Sequence, residues 1–167
     1  MVKEDLIDSK LKSVETIEEM AAKLRAWDKK VVFTNGCFDI IHSGHVKYLF
    51  EAKSLGDILI IGLNSDNSVK RLKGNSRPIN RQDDRAYVLS ALIMVDYIVI
   101  FEEDTPYDLI KRINPDFLVK GGDWPVKDIV GSDIVLASGG TVKSLPYHAG
   151  HSTTGIIEKT EGEVRKK

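Results

Sequence analysis

The sequence contains few of the residues that mark several classes of protein. Its 167 residues include one cysteine, five prolines and 7% aromatic residues. A single thiol, Cys37, excludes an internal disulfide and agrees with a reducing compartment. The most apolar stretch, residues 86–101, is interrupted by Asp96 and is too short to span a bilayer. The first ten residues have no apolar core typical of a signal peptide, so we expect a cytoplasmic protein with no membrane partner.

An excess of charge of either sign is also missing. The chain has 24 Lys and Arg against 25 Asp and Glu, a net charge of −1. No global basic field therefore favours a nucleic-acid partner. The basic stretch at residues 69–85 has no aromatic residues among its charges, although stacking on bases would require them. We expect no nucleic-acid partner.

Short apolar segments alternate with amphipathic ones along the chain. A leading helix is predicted at about residues 16–27, with Thr16 and Glu19 at capping-box spacing. This alternation predicts a Rossmann-like α/β fold, a doubly wound parallel sheet in a three-layer αβα arrangement. The length suits one domain over residues 1–167, with its core at about 30–160. The strand candidates are residues 30–35, 57–63, 97–101, 117–120, 133–137 and 141–145, and the later helix candidates are residues 44–55, 66–72, 81–94, 105–113 and 153–162.

Polar, glycine-bearing segments follow four of the predicted strands. In parallel α/β sheets, ligands bind beyond the carboxyl ends of the strands, near the switch in strand order. We therefore expect one binding cleft at that edge of the sheet. The four segments are TNGCFD, NSDNS, KGGDW and HAGHSTTG.

Two histidines stand three apart in GCFDIIHSGHVKYL (36–49), where a predicted strand is followed by a helix. At this spacing His42 and His45 share a helix face. The free N–H groups and dipole of a helix N-terminus attract anions, and Gly44 leaves space for a bulky ligand. We favour a site for a phosphorus centre that gains charge in its transition state. Two alternatives remain: zinc ligation together with the upstream cysteine and aspartate, and helix-cap histidines with no function.

The basic stretch at residues 69–85 has two interpretations. It is a loop that closes over a triphosphate, or a solvated helix face. We predict that Asn80 caps the next helix, and that Arg81 and Arg85 share one face of it. The basic residues are Lys70, Arg71, Lys73, Arg77, Arg81 and Arg85, against Asp83 and Asp84.

These motifs together resemble a known family. TNGCFDIIHSGH is similar to the signature of the HxGH nucleotidyltransferase superfamily, and HSTTGIIEK (151–159) resembles its Ser/Thr-rich turn. RLKG, VDYIVIFEEDTP and FLVKGGDW extend the resemblance, over about residues 16–160, to the heptose 1-phosphate adenylyltransferases. Tyr147 stands where some cytidylyltransferases of the superfamily carry an arginine, which favours the heptose type. The kinase half of fused relatives has no counterpart here, so the resemblance implies a stand-alone transferase.

The resemblance implies transfer of an adenylyl group from ATP, with Mg²⁺, to a sugar 1-phosphate for lipopolysaccharide synthesis. A glycerol-3-phosphate cytidylyltransferase-type enzyme and a non-catalytic nucleotide-binding module stay open as alternatives. The sequence does not define the choice between ATP and CTP, and a homo-oligomer is compatible with it. The implied catalytic residues are His42, His45 and Lys73; the nucleotide-binding residues are Thr34, Asn35, Gly36, Cys37, Phe38, Gly44, Ser152, Thr153 and Thr154; the substrate-binding residues are Asn35, Asp39, Lys120, Gly121 and Asp123; the metal-ligand candidate is Asp39.

Overall fold

A five-stranded parallel sheet forms the centre of the computed structural model, which describes residues 9–146. Its strands are β1 (Val31–Gly36), β2 (Ile58–Asn64), β3 (Tyr97–Phe101), β4 (Phe117–Gly121) and β5 (Thr141–Leu145). The helices are α1 (Val14–Ala26), α2 (Ser43–Lys53), α3 (Asp66–Lys73), α4 (Gln82–Ser90), α5 (Tyr107–Ile113) and α6 (Ser132–Ala137), and a 3₁₀ turn lies at Val126–Asp128. The strand order is β3-β2-β1-β4-β5, and every pair of neighbours is parallel.

Helices cover both faces of this sheet, so the predicted three-layer αβα fold is confirmed. One apolar cluster joins α1 and α5 to the sheet through residues such as Ile17, Leu24 and Ile110. A second cluster joins α2 and α4 to the opposite face through Leu49 and Leu89. The central strand β1 is buried from Val31 to Thr34, which explains why its sequence is apolar and β-branched instead of alternating.

The structure corrects the type of one predicted element and the ends of others. Residues 133–137, predicted as a strand, lie in helix α6, where Val135 is buried and Leu136 is 52% exposed. Such one-sided burial belongs to an amphipathic helix, whereas an inner strand of this sheet is covered on both faces. Helix α1 begins before Thr16 because Ser13 is its N-cap and accepts from the Thr16 N–H. Helix α4 ends at Ser90, earlier than predicted. The predicted helix at 153–162 lies outside the described residues.

The switch in strand order lies between β1 and β4. Strand β1 pairs with β2 over all six of its residues, but with β4 only at Val32–Phe117 and Phe33–Leu118. Beyond Phe33 and Leu118 the two strands stop pairing. We call the space between their carboxyl ends the crevice. This is where the fold predicts a ligand. Within residues 9–146, no helix is both long enough and apolar enough to cross a membrane.

Candidate active site

The loop after β1 and the start of α2 carry the two histidines. Helix α2 begins at Ser43, and His42 is its N-cap in an extended conformation. The rings of His42 and His45 stack with their centroids 3.9 Å apart, and the Phe38 ring lies 5.4 Å from that of His45. Gly44 is buried between the histidines. The prediction that the two imidazoles share one face at a helix N-terminus is confirmed.

Burial determines the charge of His45. Loss of hydration lowers the pKa of His45, and the nearby His42 lowers it further, to about 4. Its Nδ1 is buried and has no hydrogen-bond partner among the described residues. His45 is therefore a neutral imidazole at pH 7. It can donate one N–H to a ligand, but it does not act as a cation.

Asp39, three residues before His42, is engaged by the basic loop. It is 3% exposed, and its Oδ2 accepts from Arg77 Nε at 2.6 Å. The backbone N–H groups of Ile79 and Asn80 also donate to this carboxylate, at 2.9 and 2.8 Å. Burial by itself would raise the pKa of Asp39, but the N–H donors and Arg77 outweigh burial and lower it. The predicted roles of Asp39 as metal ligand and substrate contact therefore need correction, because protein donors already occupy its carboxylate.

Asn80 and Arg81 also differ from their predictions. The Asn80 side chain donates to the Asp39 carbonyl at 2.6 Å and does not cap α4, whose N-cap is Arg81. Arg81 is exposed, whereas Arg85 is 1% exposed, so the two arginines do not share a solvated face. Helix geometry explains the burial: Arg85 and the core residue Leu89 are four residues apart and occupy the same side of α4.

Arg85 binds three separate segments around the loop between β1 and α2. Its Nη1 donates to the Cys37 carbonyl at 2.6 Å, and its Nε donates to the Asn80 carbonyl at 3.1 Å. Its Nη2 pairs with Asp66, after β2, at 2.8 Å. Sequence reasoning missed this role. The spacing of Arg85 and Leu89 was the signal that could have placed an arginine on the buried face of α4.

Lys120 and Asn35 face each other across the crevice. The Lys120 Nζ donates to Asn35 Oδ1 at 3.3 Å, so the carboxyl ends of β4 and β1 meet there as predicted. Burial lowers the pKa of Lys120. Lys73 is exposed at the end of α3 and has no hydrogen-bond or ion-pair partner within residues 9–146. Burial raises the pKa of the Cys37 thiol. The positive charges of Lys73 and Lys120 lower it by less, so the pKa is raised overall.

The other predicted site residues fall into four groups. Thr34 is fully buried and its hydroxyl lies 2.6 Å from Tyr48 Oη, so its side chain belongs to the floor of the crevice and not to its lining. Gly36 and Gly121 lie at the mouth, and a Cβ on Gly36 would come within 3.0 Å of the Phe38 ring. Asp123 is exposed in the turn after β4. The predicted Ser152, Thr153 and Thr154 lie outside the described residues.

Comparison with known proteins gives the family. The sequence model described as cytidylyltransferase-like matches residues 33–159, which include the β1–α2 junction and the KGGDW turn. The chain belongs to the cytidylyltransferase-like family. This confirms the predicted nucleotidyltransferase resemblance.

Two relatives in the family are highly similar over most of this chain. The bifunctional protein HldE of Campylobacter concisus is 60% identical over 152 residues, which are 91% of this chain and 31% of that protein. The bifunctional protein HldE of Aliarcobacter butzleri is 59% identical over 154 residues, 92% of this chain and 32% of that protein. The chain thus spans about a third of the length of these relatives.

Solved structures agree with the fold. The lipopolysaccharide core biosynthesis protein from Thermoplasma volcanium is 29% identical with a TM-score of 0.57, and the match covers 72% of this chain and 97% of that one. A pantoate-beta-alanine ligase from Francisella tularensis has the same TM-score at 14% identity, covering 87% of this chain and 69% of that one. The second similarity shows the fold alone.

Proposed function

We propose that the chain is an adenylyltransferase that converts ATP and D-glycero-β-D-manno-heptose 1-phosphate to ADP-heptose and pyrophosphate, for lipopolysaccharide core synthesis. One structural observation carries the proposal: His42 and the neutral His45 stack at a helix N-terminus just after β1, the strand whose Asn35 meets Lys120 of β4. The HldE relatives and the lipopolysaccharide core biosynthesis protein support the choice of a sugar phosphate.

The acceptor needs no general base. A phosphate monoester has a second pKa of about 6, so a sugar 1-phosphate is largely a dianion at pH 7. One of its oxygens attacks the α-phosphorus of ATP, a new P–O bond forms, and the bond to the β-phosphate breaks to release pyrophosphate. The site then has to align these atoms and stabilise the charge. Cys37 takes no part as a nucleophile, because burial raises the pKa of its thiol and keeps it protonated.

We assign the histidines to the α-phosphate. His45 donates its ring N–H to the oxygen that gains charge, and His42 flanks the same group from the stacked position. Gly44 and the start of α2 add the positive end of the helix dipole. The exposed Lys73 balances the triphosphate charge. The loop residues Asn35, Gly36, Cys37 and Phe38 would contact the nucleotide, and Ser152, Thr153 and Thr154 are proposed to hold the leaving phosphates.

The crevice between β1 and β4 suits the acceptor. Burial lowers the pKa of Lys120, so a dianionic phosphate beside it would favour its charged form and gain a strong hydrogen bond. Asn35 can accept from a sugar hydroxyl or from Lys120. Gly121 and Asp123 follow on the β4 side, where further hydroxyls need partners. Asp39 keeps its ion pair with Arg77 and does not contact the acceptor.

Mg²⁺ is proposed to arrive with ATP. Asp39 does not fit as its ligand, because both carboxylate oxygens already accept from Arg77, Ile79 and Asn80. Over residues 9–146, no group of three His, Cys, Asp or Glu side chains is placed to hold a metal ion. Mg²⁺ commonly binds through substrate phosphates and water without a protein cage. When bound, it would neutralise part of the negative charge of the triphosphate.

A comparison of two substrate pairs tests the proposal. We expect ATP with heptose 1-phosphate to give at least about tenfold higher kcat/KM than CTP with glycerol 3-phosphate, a difference of about 1.4 kcal/mol in transition-state binding. Both pairs are measured by pyrophosphate release on one preparation. A preference for the glycerol pair would contradict the substrate assignment. Nucleotide binding with no pyrophosphate from any pair would indicate a regulatory module.

A further inference from the structure

Tyr48 joins the two strands that form the crevice. It lies on α2, three residues after His45, and its ring packs below Gly121. Its Oη is 2.6 Å from Thr34 Oγ1 on β1 and donates to the Val119 carbonyl on β4 at 3.2 Å. A tyrosine hydroxyl has one proton, so the Thr34 hydroxyl must be the donor in the shorter bond. A continuous hydrogen-bond chain therefore runs from β1 through Tyr48 to β4.

The position of this chain along the strands is informative. Phe33 and Leu118 are the last residues that pair between β1 and β4. The next residue on each strand, Thr34 and Val119, is joined through Tyr48. One residue further, Asn35 and Lys120 meet directly at 3.3 Å. Toward their carboxyl ends, β1 and β4 are thus joined first by backbone pairing, then by the Tyr48 hydroxyl, and then by the Lys120–Asn35 hydrogen bond. Gly36 and Gly121 follow at the mouth of the crevice.

We propose that Tyr48 is a positioning residue for the acceptor phosphate. Its hydroxyl sets the separation of β1 and β4 at the floor of the crevice, and this separation places Lys120 and Asn35. Without the hydroxyl, the fully buried Thr34 hydroxyl and the Val119 carbonyl lose a shared partner. The loop that precedes the histidines has its own contacts, from Arg85 to the Cys37 carbonyl and from Arg77 to Asp39, so we expect the nucleotide half of the site to keep its geometry.

The first test is kinetic and rests on the proposed function. Tyr48→Phe removes only the hydroxyl. We expect KM for heptose 1-phosphate to rise about tenfold, the size of effect that the loss of one buried hydrogen-bond partner has. KM for ATP and kcat should each stay within about threefold of the wild-type values. Tyr107→Phe is the matched control. It also removes a tyrosine hydroxyl, one that donates to Asp133 at 2.8 Å and does not join β1 to β4. An equal rise in both KM values, or the same change in the control, would overturn the acceptor-specific role.

The second test does not depend on turnover. Amide hydrogen exchange is compared in wild-type protein and Tyr48→Phe, at residues 34–36 and 119–121 and, as a reference, at 97–101 in β3. We expect exchange at the first two segments to become at least about fivefold faster, with β3 unchanged. Unchanged exchange at 34–36 and 119–121 would overturn the positioning role whatever the activity. If wild-type protein transfers no adenylyl group, the proposed function and the acceptor role of Tyr48 fail together, and the exchange result decides whether Tyr48 holds β1 and β4 together.

Discussion

Two arginines and two lysines lie around Cys37 in the loop between β1 and α2, and their contacts differ. Arg77 and Arg85 are bonded to protein groups on several segments, and Arg85 is 1% exposed. Lys73 has no such partner within residues 9–146, and Lys120 has one neutral partner, Asn35. A guanidinium presents several donors in a fixed plane and can join several acceptors, whereas an ammonium is a compact charge suited to phosphate. The arginines therefore hold the loops, whereas the two lysines are the residues that we propose bind substrate.

Loss of Arg85 should have the largest effect. Arg85→Met leaves Asp66 and the carbonyls of Cys37 and Asn80 without their buried donor. We expect the free energy of unfolding to fall by about 3–5 kcal/mol, measured by urea denaturation. Arg81→Met is the control, because it removes the same charge from an exposed position on the same helix. Equal stability of the two variants would contradict a holding role for Arg85.

Loss of His45 should affect turnover more than stability. His45→Ala removes the proposed donor to the charge that builds on the α-phosphate. We expect kcat to fall by about 10²–10³-fold, the range for losing one oxyanion-type donor. The melting temperature should change little, because the side chain has no protein hydrogen bond at Nδ1 to lose. A large drop in melting temperature with near-normal turnover would instead favour structural cap histidines.

The pH dependence of stability should show a smaller effect. The pKa of His45 is lowered to about 4 in the folded protein, from 6.5 in the unfolded chain. Between pH 6.5 and 4 the unfolded chain binds more protons at this residue than the folded protein does. The free energy of unfolding is therefore highest above pH 6.5 and decreases as the pH falls toward 4.

Wild-type protein should therefore lose about 4 °C more in melting temperature than His45→Gln between pH 7 and pH 4.5, because glutamine does not titrate. Calorimetry at the two pH values measures this difference. Parallel losses in the two proteins would mean that the folded state does not hold His45 neutral.

Local patterns predicted the β1–α2 junction, because its strand, histidines and helix are adjacent in the sequence. The same approach placed residues 133–137 in a strand, since a short apolar run does not by itself distinguish a strand from a buried helix turn. The contacts of Asp39 with Arg77, and of Arg85 with Cys37, join residues 38 and 48 positions apart. No local periodicity encodes such pairs. The sequence therefore predicted the position of the histidine pair, but not which charges are already bonded within the protein.

The division between holding arginines and binding lysines is tested most directly by Lys120→Met measured beside Arg85→Met. For Lys120→Met we expect kcat/KM for heptose 1-phosphate to fall at least about tenfold, because a charged hydrogen bond to the acceptor is lost. Its stability should stay within about 1 kcal/mol of wild type, since burial already disfavours the charged amine. Arg85→Met should lose stability by several times that amount. A Lys120→Met protein as destabilised as Arg85→Met, with unchanged kcat/KM in its folded fraction, would contradict the account.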